Sequence, residues 1–438
     1  LKCVHALLMH AQAVDAVDSD TSAAMTSTLE RLLRCGLEEN LTANLCGHMN
    51  GTTPTKPSDS ILNSPFLSKE WATQTLEETR VMLECVFLMY YDRRTKCSAE
   101  TFSKLANAFE RGALGGAHAA SANVVRFAEQ LGGKSGELSA IGHVRTTTDS
   151  LRALCAVILV EALDLEGAVD RINAANDGNA VDGEHAMLSA PSLSEIATAL
   201  EHWPSDAQHG PVLMAWATLL ALAPAAGASE DSFPANADPA AAAARASQSD
   251  AGYGSLLSLL RLEQLKAVGG MNATLHKSVL KNLLTSSLAA FDVLPVHKLR
   301  PAELGSLLDV LEELTAGQPM LCEQFWGGAE TDGLEAPLYA LLVGCRERHP
   351  ANATPLFRAL GALAGGPRAA ECALAFLARL PSVALPAPSD DAAAGTVVPL
   401  DTDGAPQQEW LEAMARWREV RENGGAAPPP ALPPGPVA

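Results

Sequence analysis

The chain has 438 residues, with 31 lysines and arginines against 51 aspartates and glutamates, which gives a net charge of −20. This acidic balance argues against direct binding of nucleic acid, which needs a basic face, and against binding to anionic membrane surfaces. Hydrophobic residues make up 47% of the chain, which is ample for a large core. No apolar run reaches the roughly 20 residues that cross a bilayer, so we expect no membrane insertion.

The cysteines indicate a reducing compartment. There are nine, an odd number, and most lie inside apolar helical runs, as is typical of buried thiols in a cytosolic or nuclear protein. The chain begins at Leu1 within an apolar segment, so we expect it to be a piece of a longer protein. The cysteines are Cys3, Cys35, Cys46, Cys85, Cys97, Cys155, Cys322, Cys345 and Cys372.

A helix is predicted after Ser98, whose side chain can cap the first turn. Phe102, Leu105 and Phe109 recur at the spacing of one helix face. Gly112 stands just past the last of them, where a helix commonly ends. These signals together predict an amphipathic helix with one buried face.

Two further helices are predicted in the middle of the chain. Ser192 and Glu195 form a capping box at the start of the first helix, and Pro204 stops it. The second, His209–Leu220, opens with a Gly-Pro pair and is apolar on nearly every side. Because such a helix must be buried by neighbours on both flanks, Trp216 is predicted to be a packing residue.

The C-terminal part continues the helical pattern. Pro301 marks the start of a helix with five leucines at core-facing spacing, and Thr354 with the proline after it opens another. Two tryptophans line one face of a last predicted helix. The five leucines are Leu304, Leu307, Leu308, Leu311 and Leu314.

We therefore predict an all-α fold, an irregular solenoid of antiparallel helix pairs like those of HEAT and armadillo proteins, with long loops rich in alanine, proline and glycine. Alternating strand-like runs are nearly absent, and aromatic residues make up only 5% of the chain. The predicted pairs are Ser192–Trp203 with Pro211–Leu222, Ser255–Val268 with Asn272–Phe291, and Pro301–Thr315 with Pro319–Trp326.

Amino-acid composition divides the chain into helical segments and segments that have too few apolar residues to form a core. In one of the latter, 223–254, a short helix is the alternative to a loop, because alanine has the highest helix propensity. The predicted parts are helical solenoid at 1–222, a low-complexity loop at 223–254, further solenoid at 255–380, a linker rich in proline, alanine and aspartate at 381–408, a helix at 409–424 and a disordered proline-rich tail at 425–438.

No catalytic, cofactor-binding or metal-binding residue is predicted. Cys3, His5 and His10 are close in sequence, but residues two apart cannot share a helix face, so we interpret them as a buried cysteine and solvated histidines. Gly132–Gly136 contains Gly-Lys-Ser but lacks the earlier glycine and the preceding strand of a phosphate-binding loop. We interpret it as a loop between helices.

The residues of acid–base and nucleophilic catalysis do not form a recognisable arrangement. No Gly-x-Ser-x-Gly turn occurs, and the eleven histidines are scattered. His202, His209 and His276 are predicted at helix ends, where the helix dipole already explains His202. Three pairs of neighbouring carboxylates are expected on solvated helix faces. The pairs are Glu38 with Glu39, Glu77 with Glu78, and Glu312 with Glu313.

Two dense apolar clusters remain as possible docking points for a partner helix. One is Phe87–Tyr91, and the other combines Cys322, Phe325 and Trp326. Core packing is the favoured interpretation of both clusters. The partner-binding surface of the chain is left unassigned at this stage.

Four segments, in order along the chain, resemble the large inner-ring scaffold nucleoporins of the nucleoporin 188 family. Leu151–Glu166 is similar to the helix in the middle of that family's N-terminal region, and Glu78–Tyr91 to an earlier helix of the same region. His209–Ala217 resembles the family's His-x-Pro-Val-Leu-x-Ala-Trp helix, and Cys322–Trp326 a segment that ends in Phe-Trp.

This resemblance implies a superhelical α-solenoid that serves as a scaffold in the inner ring of the nuclear pore complex and supports nucleocytoplasmic transport. It implies no catalysis and no cofactor, with other nucleoporins as partners at the nuclear envelope. The linker nucleoporin of the nucleoporin 93 kind is expected to bind outside this part of the chain. Two alternatives remain: a transport receptor or adaptor of the HEAT-repeat kind, and a helical regulatory subunit of an enzyme.

Overall fold

Helices are the regular elements of the fold, and no strand occurs in the part of the chain that the structure describes, so the predicted all-α class is confirmed. The structure is a computed structural model. It describes residues 1–12, 19–52, 64–91, 95–116, 118, 120, 135–178, 185–228, 233–234, 236–247, 252–262, 265, 271–291, 301–328, 336–349 and 353–380.

The helices follow one another with short connections in most places. The N-terminal ones are α1 (Lys2–Gln12), α2 (Ser19–Arg34), α3 (Leu37–Met49), α4 (Pro65–Tyr91), α5 (Ala99–Arg111), α6 (Ser135–Ala162), α7 (Leu165–Asn176) and α8 (Ala190–Leu200). The C-terminal ones are α9 (Gly210–Leu222), α10 (Pro239–Ser247), α11 (Gly252–Leu260), α12 (Met271–Ala290), α13 (Pro301–Thr315), α14 (Pro319–Gly328), α15 (Ala336–Glu347), α16 (Ala353–Leu363) and α17 (Pro367–Leu377).

Helix α5 shows how local sequence sets its own boundaries. The Ser98 hydroxyl accepts a hydrogen bond from the backbone N–H of Thr101 at 3.1 Å, and Gly112 follows the last helical residue. The three apolar side chains that were predicted to face the core are fully buried. Both predicted ends of this helix are confirmed.

Helix α13 confirms the leucine stripe. It begins at Pro301, as predicted, and all five leucines are fully buried. Helix α16 begins at Ala353, one residue before the predicted start at Thr354.

The start of α8 differs from the prediction. Ser189, not Ser192, caps this helix, and the Ser189 hydroxyl accepts a hydrogen bond from the backbone N–H of Ser192 at 3.3 Å. Pro191 lies in the first turn, where its missing N–H leaves no helical hydrogen bond unmade. The capping-box assignment was therefore wrong by three residues.

Two helices form the centre of the molecule. Helix α9 is buried along almost its whole length, and Trp216 is only 4% exposed, as predicted. It packs against α6, α7, α10, α11 and α12, whereas α12 in turn packs against α6, α7, α13, α14 and α15. No described helix is long and apolar enough to cross a bilayer.

Successive helices stack mainly on helices two or three positions along the chain, which is the pattern of a solenoid-like arrangement. The most extensive contacts of this kind join α4 to α6, α5 to α8, α11 to α13, and α13 to α16. Of the predicted neighbour pairs, α13 and α14 are in contact. The other two pairs are not main packing partners, since α8 packs on α5, and α11 packs on α9 and α13.

The predicted loop at 223–254 is partly helical, which corrects that boundary. Helix α10 lies inside it and packs extensively on α9, with Ala242 and Ala246 buried. One Arg245 Nη donates to the carbonyl oxygens of Leu200 and Trp203, at 3.0 and 2.9 Å, at the end of α8. Alanine-rich sequence is a good helix former, and its small side chains allow close helix packing.

Several predicted parts lie outside the described residues. These are the linker at 381–408, the helix at 409–424 and the tail at 425–438. Of the Gly-Lys-Ser segment, the structure describes only Ser135 and Gly136, at the start of α6.

Candidate functional site

A groove with a volume of about 780 Å³ and several charged lining residues lies between α3 and α5. We call it the α3–α5 groove. One wall is α3, the other is α5, and the segment that leads into α5 contributes Lys96 and Ser98. Its charged lining consists of Glu38, Glu39, Lys96, Glu100, Lys104 and Arg111.

The amphipathic pattern of α5 supplies one wall of this groove. Burial of its aromatic and leucine side chains turns Glu100, Lys104, Asn107 and Arg111 towards solvent. Within this row Lys104 Nζ lies 2.6 Å from Glu100 Oε1. Since the two residues are four apart on an exposed helix face, this pair contributes little to stability.

The opposite wall is held by a tyrosine from α4. The Tyr90 hydroxyl donates a hydrogen bond to Glu38 Oε1 at 3.2 Å. Burial raises the pKa of Glu38, and the charge of Glu39 raises it further, while the Tyr90 hydrogen bond lowers it. Burial also raises the pKa of the Cys46 thiol on the same wall.

A second groove, of about 560 Å³, lies on the other side of α5 and is bounded by α8. We call it the α5–α8 groove. Asn107 lines both grooves, so the exposed row of α5 forms a ridge between them. The Asn236 side chain donates to the carbonyl oxygen of Ser194 and the hydroxyl of Thr198, both at 3.2 Å, beside this groove.

A ridge between two grooves is the surface relief through which helices pack on one another. We call the ridge and both grooves the α5 face. Three acidic and three basic side chains line its larger groove, so it presents both signs of charge at close spacing. Such a surface suits a partner with alternating charges better than a uniformly charged polymer.

The two apolar clusters predicted as core are core. Phe87 to Tyr90 are buried, and the Phe87 ring lies 5.5 Å from that of Tyr91 and 4.5 Å from that of His276. In the second cluster Cys322 and Phe325 are buried, and Trp326 Nε1 donates to the carbonyl of Leu363 at 3.0 Å.

The three histidines predicted at helix ends have different environments. His202 is exposed just after α8, as expected, and His209 occupies the position before α9, with its Nδ1 2.7 Å from Asp206 Oδ1. His276, in contrast, lies inside α12 and is fully buried. Burial lowers the pKa of His276 to about 4.

The carboxylate pairs are less solvated than predicted. All of their members except Glu39 are half-buried, and most contact a cation or a hydroxyl on another residue. The reason is that neighbouring helices bring Tyr90, Arg261 and Arg358 against them, which helical periodicity alone does not reveal.

All nine cysteines are free thiols, and five of them are buried. Burial raises the pKa of Cys85, Cys97 and Cys345 to about 12 in each case, so these side chains stay protonated and unreactive. Among the described residues, no group of three or more histidine, cysteine or acidic side chains is arranged to hold a metal ion. At the N-terminus, His5 contacts Glu84 Oε2 at 3.0 Å, and Cys3 is exposed, so the expectation that Cys3 is buried was wrong.

Sequence reasoning missed the buried polar contacts between helices. His48, Thr79 and His118 form a hydrogen-bonded row, and Lys277 donates to the carbonyl of Glu313 at 2.7 Å. Their partners are tens of residues away in sequence, so no spacing rule links them. The one available signal was a polar residue on an otherwise apolar face.

Comparison with protein-family models, curated proteins and solved structures finds no match for this chain.

Proposed function

We propose that this protein is a scaffold component of the nuclear pore inner ring, related to the nucleoporin 188 family, which binds other nucleoporins through extended helical surfaces. The observation that carries the proposal is that all four segments that resemble this family fall in helices of one connected core. They supply buried side chains to α4, α6, α9 and α14.

These helices form a continuous chain of contacts. Helix α4 packs on α6, α6 packs on α9, and α12 joins α9 to α14. Leu83, Leu154, Trp216 and Phe325 represent the four segments in this core, and each is at most 4% exposed. The resemblance therefore lies in residues that set the packing frame, which is where a shared helical architecture constrains a sequence most strongly.

The α5 face supports a role in protein binding. A ridge flanked by grooves of about 780 and 560 Å³ offers relief into which a partner helix can pack. Its mixed charges favour a protein partner, since a nucleic acid requires a basic surface. The net charge of −20 also argues against a nucleic acid as the partner.

The proposal is tested by purification of the full-length tagged protein from gently extracted nuclear envelopes, with its partners identified by mass spectrometry. We expect several inner-ring nucleoporins, including the linker of the nucleoporin 93 kind. Recovery of enzyme subunits or of soluble transport cargo without any nucleoporin would contradict the proposal.

The role of the α5 face is tested in the same preparation with Lys104→Glu combined with Arg111→Glu, which reverses two exposed charges on the ridge. We expect the yield of at least one inner-ring partner to fall on the order of tenfold. Lys69→Glu is the matched control, because Lys69 is exposed on α4 and does not line either groove.

A further inference from the structure

Helices α3 and α5 run in the same direction along the α3–α5 groove. The Cys46 thiol on α3 donates to the carbonyl oxygen of Lys104 on α5 at 3.8 Å. Further towards the C-terminus of both helices, a Cβ at Gly112 would lie 3.1 Å from Met49 Cε. Since both contacts advance in the same sense, the groove has one end formed by two helix N-termini and another formed by two helix C-termini.

The two ends of this groove differ in charge. Glu38 and Glu39 lie in the first turn of α3, whereas Arg111 lies in the last turn of α5. No cation among the described residues forms an ion pair with either glutamate, and no described carboxylate pairs with Arg111. Burial raises the pKa of Glu38 and the charge of Glu39 adds to this effect, so a cation placed beside them would be stabilised.

The other charged side chains that line the groove are already paired. Lys96 Nζ lies 3.9 Å from Asp164 Oδ2, and Lys104 Nζ lies 2.6 Å from Glu100 Oε1. The side chains of both lysines remain more than half exposed, at 58% and 61%. The charges left for a further ion pair are therefore negative at the N-terminal end of the groove and positive at its C-terminal end.

Small side chains line the groove between these two ends. They belong to both walls, and Asn107 is the largest polar side chain beside them. Large side chains pack well against small ones, because the two surfaces then interdigitate. The groove therefore suits an occupant that is bulky in its middle and charged at its ends. The small residues are Thr42, Ala43, Cys46 and Ala108.

The segment 409–424 lies outside the described residues, and its sequence has the complementary pattern. Helical spacing places Trp410 and Trp417 on one face of the predicted helix, and Arg421 continues the same face in the last turn. Glu409 stands in the first turn. This face reads acidic, bulky and basic in chain order, which matches a groove that reads cationic, small and anionic.

The order of the charges sets the direction in which the segment would lie. When it runs antiparallel to α3 and α5, Glu409 meets Arg111, and Arg421 meets Glu38 and Glu39. Opposite ends of the helix dipoles also lie side by side in this orientation. A helix covers about 18 Å from Glu409 to Arg421, close to the roughly 20 Å length of α3 and α5, which have 13 residues each.

We propose that the segment 409–424 docks as a helix in the α3–α5 groove of its own chain, antiparallel to α3 and α5. The predicted linker 381–408 spans up to about 90 Å when extended, so it allows the segment to fold back over the described helices. Docked there, the segment covers the α3–α5 groove and leaves the α5–α8 groove open to a partner. This inference goes beyond the proposed function and does not depend on which partner binds.

The test is backbone hydrogen exchange of the intact chain, read by mass spectrometry in the segment 409–424. A helix of this length is marginal by itself in water, so its amides exchange slowly only when the helix is docked. Arg421→Glu should speed their exchange at least about tenfold. Arg416→Glu is the matched control, because it makes the same charge change on the opposite face of the predicted helix and should keep the slow exchange.

A charge swap tests whether the α3–α5 groove is the docking site. Glu39→Arg, at an exposed position, should release the segment as Arg421→Glu does, and the two changes together should restore exchange to within about threefold of the wild type. Unchanged exchange in α13 would show that the variants remain folded.

Three results would overturn the proposal. The first is fast exchange of the segment in the wild-type chain, and the second is slow exchange that Glu39→Arg does not alter, which would place the segment elsewhere. The third is protection that increases with protein concentration, which would show that the segment of a second copy fills the groove.

Discussion

The N-terminal and C-terminal regions of this molecule join their helices by different polar contacts. From α3 to α7 several contacts are hydrogen bonds made by buried histidines, such as the row His48–Thr79–His118 and the bond from His185 Nε2 to the carbonyl of Asp164 at 3.1 Å. From α11 to α16 several contacts are made by cations that surround a single helix, α13.

The cations reach α13 from α12, from α16 and from the residue that follows α11. Arg261 Nε lies 3.2 Å from Glu313 Oε1, and Lys277 donates to the carbonyl of the same residue. Arg358 pairs with Asp309 and, through its Nε at 3.4 Å, with Glu312. The Lys277 side chain comes from α12 and is buried against the C-terminal end of α13. A cation is favoured there by the helix dipole.

The difference teaches that one all-helical fold can respond to two different solution conditions. Neutral buried histidines lose stabilising interactions when acid protonates them, whereas partly exposed ion pairs lose them when salt screens the charges. The buried histidines should therefore make the fold sensitive to acid, and the ion pairs around α13 should make the C-terminal region sensitive to salt.

The largest effect is expected from a residue that both regions share. Trp216 on α9 is 4% exposed, and α9 contacts helices of both regions, so Trp216→Ala should lower the free energy of unfolding by about 3–5 kcal/mol. Denaturant unfolding should show both regions weakened together. Met320→Ala, at a side chain that is 75% exposed, should have almost no effect. Loss of stability in one region alone would show that α9 does not join them.

Acid should have the next largest effect, through His118 in the N-terminal region and through His276, which lies on α12 and packs on Phe87 of α4. The pKa values of His118 and His276 lie at about 4, below the 6.5 of a free histidine, so the folded state binds fewer protons than the unfolded state between these values. The contribution of these two histidines to the free energy of unfolding is fully present above about pH 6.5. It is lost as the pH falls towards 4, by up to about 3 kcal/mol for each histidine.

Denaturation midpoints measured across this pH range would check the prediction. His276→Phe should flatten the curve, since it removes one titrating group and keeps a ring against Phe87. His202→Gln should leave the curve unchanged. A curve that His276→Phe does not alter would show that this histidine is not buried in its neutral form.

A smaller effect is expected at the start of α7. Asp164 has φ 51°, its carboxylate accepts from the backbone N–H of Gly167 at 3.1 Å, and it contacts His185. Asp164→Ala removes the cap and leaves a less tolerant residue in the left-handed region, so it should cost about 2 kcal/mol of unfolding free energy. Asp164→Asn keeps a capping oxygen and a tolerated conformation. Equal losses of unfolding free energy in the two variants would show that the helix cap does not cause the effect.

The smallest effect concerns the ion pairs of α13. Arg358 is 49% exposed, so Arg358→Ala should cost no more than about 1 kcal/mol at low salt and almost nothing at high salt. Arg368→Ala, at an exposed position on α17, is the control and should show no dependence on salt. If Arg358→Ala lowered the free energy of unfolding equally at all salt concentrations, packing of the aliphatic part of the arginine side chain would explain the loss better than its charge.

Much of the fold could be predicted because local signals determine it. The cap at Ser98, the leucines of α13 and the apolar ring of residues on α9 each specify a helix and its buried face without reference to the rest of the chain. Helix α10 was mistaken for a loop because composition indicates how much apolar surface a segment offers, not what it packs against. Which helices become neighbours depends on contacts between distant segments.

The candidate surface could not be predicted for the same reason. The α5 face combines side chains of α3, α5 and α8, which are separated by up to about 160 residues, and its grooves exist only once these helices are in place. The row His48–Thr79–His118 likewise depends on three segments. Sequence identified the exposed side of α5, and the structure added the grooves beside it.

The central claim, that this protein is a scaffold component of the nuclear pore, is tested most directly by fluorescence recovery of the full-length protein in living cells. A scaffold held by many simultaneous contacts should mark the nuclear rim and recover slowly and incompletely after bleaching. Complete recovery within seconds, or a diffuse signal without a rim, would contradict the claim and favour a soluble carrier.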